Sequence, residues 1–148
     1  MIRPADEKDV GALVEMGRAF FEESGLPGTF NEQDFAGTLR WLTGGDVSGG
    51  VMVAEVAGET VGMLGYVLFP LYCNFATTIG QEVFWYVHPG YRTGIGGELL
   101  IAAEQEARAA GASVFLMAAL AGLRDVAIAR VYEQRGYRPA ENTFLKGL

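Results

Sequence analysis

The sequence predicts an α/β protein (α+β by some schemes) built on one mixed sheet with a single βαβ crossover. Three observations carry this. Apolar residues recur at helical spacing near the start and form strand-like runs in the middle. Two of those runs flank a tight turn, which makes a hairpin and puts antiparallel pairing into the sheet. A strand, a glycine-rich loop, a helix and another strand then follow, the order of one crossover joining parallel strands.

The elements follow in chain order. In ADEKDVGALVEMGRAFFEESG, Val10, Leu13, Val14, Met16, Phe20 and Phe21 keep an approximate 3.6-residue period, and Gly25 closes the helix. A second helix is expected over NEQDFAGTLRWLTGG, with Asn31 as cap and Phe35, Leu39 and Leu42 along one side. GGVMVAEVAGETVGMLGYVLFP reads as two strands around Ala57-Gly58-Glu59, and TIGQEVFWYVHP as a third strand ended by Pro89. GELLIAAEQEARAAGA is a helix with Leu99, Leu100, Ala103 and Ala107 facing inward and Gly111 as its stop. ASVFLMAAL reads as a buried strand, RDVAIARVYEQRGY as a last helix closed by Gly136, and ENTFLKGL as a terminal strand. Such a chain is too small for a doubly wound dinucleotide domain.

The 148 residues suffice for one domain, 1–148, with a core that needs no disulfide or metal. The charge of −7 disfavours nucleic acid, whose binding rests on Lys and Arg, and tilts the ligand preference towards cations such as amines. No apolar run reaches the ~20 residues of a membrane span, and the N-terminus lacks a signal-peptide pattern, so a cytoplasmic protein without membrane association is expected. With one histidine, His88, and one cysteine, Cys73, no zinc site of His and Cys is expected. Cys73, in apolar FPLYCNFATT, reads as a buried or half-buried small group, and His88 as a structural or loop-lining residue.

The stretch VHPGYRTGIGGELL, residues 87–100, has the look of a phosphate loop. It fails the dinucleotide fingerprint, because Leu99 stands where G-x-G-x-x-G needs its third glycine. It fails the ATP loop as well, because Gly96-Gly97 is followed by Glu98 and no lysine is near. What remains is small residues at a helix N-terminus, where unpartnered N–H groups and the helix dipole favour a diphosphate held by amides, or else a plain tight turn.

Taken with its surroundings, the chain from Ile2 to Leu148 resembles the GNAT superfamily of acyl-CoA-dependent N-acetyltransferases. IRPADEKDV is similar to the family's first strand and helix, and EVFWYVHPGYRTGIGGELL to its central strand and pyrophosphate loop. AAEQEARAAGASVFLMA is similar to the helix and strand that follow, ARVYEQRGYRP to the terminal tyrosine segment, and FLKGL to the last strand. The family loop is usually Arg/Gln-x-x-Gly-x-Gly/Ala; Tyr91 occupies the Arg/Gln position here, and Arg92 comes one place late.

The resemblance implies a twisted sheet with helices on both faces and a splayed central strand pair. Its exposed strand would pair with the pantetheine arm through the backbone of Trp85 and Val87, with the pyrophosphate on the amides of Thr93, Gly94, Ile95, Gly96 and Gly97 and Arg92 in reach of a phosphate oxygen. Asp125 falls where the family often has an asparagine, and so among the cofactor-binding positions, although a carboxylate cannot donate an amide hydrogen bond. Strand alternation puts Val83, Trp85 and Val87 on one face and Glu82, Phe84 and Tyr86 on the other. The implied activity is direct transfer of the acetyl group of acetyl-CoA to an amine in a ternary complex, without a metal. Tyr132 is the expected general acid towards the leaving thiolate, Glu82 the expected base towards the ammonium, and the Val87 N–H the expected oxyanion donor. Residues 30–41 and 69–75 are the expected walls of the acceptor pocket. The acceptor is a small-molecule or peptide amine of unspecified identity, and a homodimer is open. Two other readings stay open at this level: an acyl-CoA-binding module without turnover, and an interaction protein whose glycine loop is only a turn.

Overall fold

The computed structural model describes residues 1–148 apart from 46–47 and 123–124, and of Asp125 the backbone alone. Its contacts divide the chain into two units, Met1–Leu116 and Met117–Leu148.

In the first unit, β1 (Ile2–Pro4) leads into a capping box. The Asp6 side chain accepts from the Lys8 N–H, and the Asp9 carboxylate accepts from the Asp6 N–H at 2.8 Å. A 3-10 turn then enters α1 (Val10–Ser24), which stops at Gly25 because that residue adopts φ 67°, the left-handed region that suits glycine. Asn31 caps α2 (Glu32–Thr43) by accepting from the Gln33 and Asp34 N–H groups, as its place in the sequence implies. β2 (Gly49–Val56) and β3 (Glu59–Leu71) are joined by Ala57-Gly58, β4 (Asn74–Val87) follows, and α3 (Ile95–Ala109) crosses over to β5 (Ala112–Leu116).

The sheet order is β1-β2-β3-β4-β5. Its first three pairings are antiparallel and β4–β5 is parallel, so the sheet is mixed and contains the single crossover. One face carries α1 and α2: Leu13, Met16, Leu39 and Leu42 pack with Val51, Val53, Met63, Phe84 and Tyr86. The other face carries α3, where Leu99 lies against Gly62 and Trp85 against Gly96. Leu13, Leu39, Met63, Leu99 and Leu100 are fully buried, each contributing roughly 2 kcal/mol through removal from water.

Three sequence expectations change here. β5 is short and half-exposed, with Val114 at 42% exposure, where ASVFLMAAL read as a buried strand. Cys73 is exposed: with Tyr72 it forms the turn between β3 and β4, so its apolar neighbours are the tip of a hairpin and not a core. The expected strand in ENTFLKGL does not form. Residues 138–148 carry no ladder, and Phe144, Leu145 and Leu148 are exposed. Those eight residues lack the strict alternation that gives a strand one buried face, since Phe144 and Leu145 are adjacent.

The second unit contains α4 (Asp125–Gln134). It ends where the Gly136 N–H donates to the Glu133 carbonyl and the Tyr137 N–H to the Tyr132 carbonyl, with Gly136 at φ 88°.

Candidate active site

β4 outruns β5 within the sheet. Their ladder runs from Thr78↔Ala112 to Gln81↔Leu116, while β4 continues to Val87 against β3 on its other edge. At the end of β4 the His88 N–H donates to the Val61 carbonyl of the β3 side at 2.9 Å. Backbone groups of successive strand residues point to opposite edges. The N–H and C=O of Val87 therefore point away from β3, and Trp85 has the same parity.

The pairing of β4 with β3 contains a bulge. Gly65 pairs with Phe84 and the next residue, Tyr66, with Glu82, which leaves Val83 as the extra residue. Residues directly opposite in an antiparallel pair share a face. Phe84 thus lies with Gly65, and its ring would sit 2.2 Å from a Cβ there, whereas Glu82 lies with Tyr66. The simple alternation that grouped Glu82 with Phe84 and Tyr86 is corrected: Glu82 is on the α3 face, where Trp85 also lies. It is a buried carboxylate, 9% exposed. Burial, and secondly the charge of Glu106, raise the pKa of the Tyr66 phenol above its ordinary value, so Tyr66 stays neutral beside it.

The glycine loop follows. A 3-10 turn at Pro89–Tyr91 leads to Arg92, and Gly94 takes φ 94°, which reserves that position for glycine. The Gly97 and Glu98 N–H groups close the first turn of α3 onto the Gly94 carbonyl at 2.9 and 3.2 Å. The Gly97 amide is thereby engaged, and the N–H groups of Ile95 and Gly96 stand at the helix start, where no preceding turn supplies acceptors. Gly96 is buried for a packing reason: a Cβ on it would meet the Trp85 indole at 2.9 Å. Thr93 is exposed. These are neutral backbone donors with one glycine in a left-handed conformation, a set that fits the diphosphate of an acyl-CoA without a lysine.

Arg92 is occupied within the protein. Its Nε donates to the Val87 carbonyl at 2.9 Å, and its Nη2 lies 2.9 and 2.8 Å from the two oxygens of Glu23, near the end of α1. The guanidinium also lies over the Tyr86 ring, 5.6 Å from its centroid. Burial first, and the Glu23 charge next, hold the Tyr86 phenol above its ordinary range, with Arg92 opposing. Glu23 was not found by motif reading, because it is 69 residues away from Arg92. One signal was present: Glu22 and Glu23 sit in the last turn of a helix, where the dipole disfavours anions and a cationic partner compensates.

Of the expected pocket walls, Phe35 is a core link, 5.5 Å from Phe30 and 5.3 Å from Phe84 between ring centroids. Trp41, Tyr72 and Phe75 are exposed. His88 stacks edge-on to Tyr86 at 5.6 Å, in keeping with a loop-lining role. In the second unit, Tyr132 is buried, and its hydroxyl donates to the Ala118 carbonyl at 2.7 Å. The side chain of Asp125 lies outside the described residues. Among the described residues no group of three His, Cys, Asp or Glu side chains could hold a metal ion, and no helix is long and apolar enough to cross a membrane.

A family model described as Acetyltransferase (GNAT) family matches residues 13–137. No curated protein matches the chain by sequence. Solved structures with a similar fold include a ribosomal-protein-alanine N-acetyltransferase from Brucella melitensis biovar Abortus 2308, at TM-score 0.76 and 18% identity over 100% of this chain and 99% of that one. A predicted acetyltransferase from Clostridium acetobutylicum solved with acetyl-CoA gives 0.78 and 19%, over 99% and 95%. An aminoglycoside N-acetyltransferase in complex with CoA gives 0.79 and 12%, over 100% and 93%. At such identities the likeness is one of fold.

Proposed function

The chain belongs to the GNAT acetyltransferase family, an acyltransferase enzyme family, and from that premise we propose that it moves the acetyl group of acetyl-CoA directly to an amine, in a ternary complex and without an acyl-enzyme. The observation that carries direct transfer is the place of the only cysteine. Cys73 precedes the start of β4 and the glycine loop follows its end, so a 14-residue strand separates them, about 45 Å at ~3.3 Å per residue. A thiol placed there cannot relay an acyl group to or from the loop end.

Acetyl-CoA supplies a thioester, an acyl group already activated for attack. The chain's share is to bind, orient and move protons. The amides of Thr93 to Gly96 receive the diphosphate, with Ile95 and Gly96 at the helix start as the leading donors, while Gly97 closes the first turn. The Trp85 backbone receives the pantetheine arm up to Val87, whose N–H stabilises the developing oxyanion. Glu82 takes the proton of the incoming ammonium, and Tyr132 returns one to the departing thiolate. Residues 1–148 act as one domain in this reading, and Asp125 is retained as a cofactor-side position. The acceptor is a small-molecule or peptide amine. Relatives of the same fold act on ribosomal-protein alanine and on aminoglycosides, and the net charge of −7 suits a cationic acceptor of either kind.

Initial rates test the mechanism, with acetyl-CoA and a panel of amines varied against one another. Intersecting double-reciprocal lines, and no acetylated protein by mass spectrometry after acetyl-CoA alone, are expected. Parallel lines with a stoichiometric acetyl adduct would replace direct transfer by a covalent route.

A further inference from the structure

We propose that Arg92 and Glu23 form a clamp that positions the end of β4 and the start of the glycine loop, and that Arg92 acts in acyl transfer by this positioning and not as a phosphate ligand. The proposal rests on the acetyl transfer proposed above.

The peptide joining Val87 to His88 is pinned at both of its polar ends. Its N–H, on His88, donates to the Val61 carbonyl at 2.9 Å, and its C=O, on Val87, accepts from Arg92 Nε at 2.9 Å. The first bond ties the peptide to the sheet. The second ties it through Arg92 to α1, because Nη2 of the same guanidinium lies 2.9 and 2.8 Å from the Glu23 oxygens. The Tyr86 ring lies on the guanidinium face, 5.6 Å from the central carbon. Three fixed partners in three directions use the planar, multi-donor geometry that distinguishes Arg from Lys. Between Phe75 and Ala107 Arg92 is the only Lys or Arg, and Glu23 neutralises it. The loop therefore presents amides and not a free cation to a diphosphate.

The displaced arginine acquires a reason from this. An arginine at position 91 would occupy the family's usual place, whereas at position 92 the side chain folds back onto the strand that precedes it. The peptide it holds is the one after the Val87 N–H, so the clamp fixes how β4 leaves the sheet and where that N–H points. A positioning role of this kind acts on kcat more than on acetyl-CoA affinity.

The test compares wild type with Arg92→Ala, Arg92→Lys, Glu23→Gln and the Arg92→Ala/Glu23→Gln double variant. Three quantities are read: acetyl-CoA Kd by calorimetry, kcat with an amine that wild type accepts, and amide hydrogen exchange at His88 in the free protein. The clamp predicts that every variant keeps Kd within about threefold, loses about tenfold or more in kcat and exchanges His88 at least about tenfold faster. The double variant should be no worse than Arg92→Ala, because both changes break one unit. Arg92→Lys should fail to rescue, since one ammonium cannot reach both partners. A tenfold weaker Kd in Arg92→Ala together with a tighter Kd in Glu23→Gln would overturn the clamp, making Arg92 a phosphate ligand restrained by Glu23. Unchanged His88 exchange would also overturn it. Wild type that binds acetyl-CoA but acetylates no amine removes the proposed reaction instead, and the exchange measurement still decides the clamp.

Discussion

The Trp85 indole fills the space that a side chain on Gly96 would need, with Cζ2 2.9 Å from where that Cβ would be. The strand and the first turn of α3 are therefore in contact through an aromatic ring and a bare backbone. The glycine that looks like a phosphate contact is first a packing requirement. Gly96→Ala is expected to lose about 1–3 kcal/mol by overpacking, read by urea denaturation, and to weaken acetyl-CoA binding as the helix start shifts. Combining it with Trp85→Leu should recover part of the binding loss. Full stability and affinity in Gly96→Ala would show that the ring moves aside freely.

Asp9 gives a pH-dependent contribution to stability. Its carboxylate accepts from Arg3 at 2.7 and 2.9 Å and from the Asp6 N–H at 2.8 Å, and it is only 6% exposed. The Arg3 hydrogen bond is the main cause that holds its pKa below the usual carboxylate value, and burial works against it. A lowered pKa in the folded state stabilises fully above the unfolded value of ~3.9 and fades as pH falls through the folded value. Asp9→Asn should cost about 2 kcal/mol at pH 7, and the gap to wild type should narrow as denaturation is repeated at lower pH below ~4. A gap independent of pH would mean that the carboxylate charge is not the source.

These two cases show what the sequence could reveal. Gly25, Asn31 and the Ala57-Gly58 turn are local signals, since each satisfies a backbone need within a few residues, and all were readable. The crossover was readable from element order. The bulge at Val83 was not, because an extra residue leaves the composition of a strand unchanged and only its partner strand reveals it; one slip moved Glu82 to the other face. Cys73 was misread because an apolar hairpin tip has the composition of a core strand. Glu23 was unreadable by spacing because its partner is brought close only by the fold.

The Ala57-Gly58 turn carries a testable strain. Ala57 has φ 53° and Gly58 φ 85°, the two left-handed residues of a type I′ hairpin turn. A left-handed alanine costs roughly 1–2 kcal/mol, and asparagine tolerates the conformation better. Ala57→Asn is expected to gain about 1 kcal/mol, or about 2–4 °C in Tm for a chain of this size, with kcat unaltered. An unchanged or lower Tm would show that the turn relaxes around alanine.

Glu82 lies on the face of Tyr66 and Trp85, and its proposed role as base has a direct test. Glu82→Gln keeps the shape and removes the proton acceptor. The expected result is at least a tenfold fall in kcat with acetyl-CoA affinity kept, and loss of the rising limb of the pH–rate profile on its acid side. A profile superimposable on wild type would assign proton removal to another group.

Tyr132 is held by the same hydroxyl that would act as acid. In this structure the O–H donates to the Ala118 carbonyl at 2.7 Å, so the proton has an acceptor already and the ring is fixed in place. A phenol hydroxyl can redirect its hydrogen by turning about its own Cζ–O bond while the oxygen stays in place. Tyr132→Phe should therefore have two separable effects. Stability should fall by about 1 kcal/mol through the lost hydrogen bond. Measured at a temperature where both proteins are folded, kcat should fall tenfold or more while acetyl-CoA Kd stays within about threefold. The loss should be smallest with an acyl donor whose leaving thiol is more acidic, because such a thiolate needs less help to depart. Equal losses with every donor, or turnover unchanged with acetyl-CoA, would leave Tyr132 as a packing residue tied to Ala118.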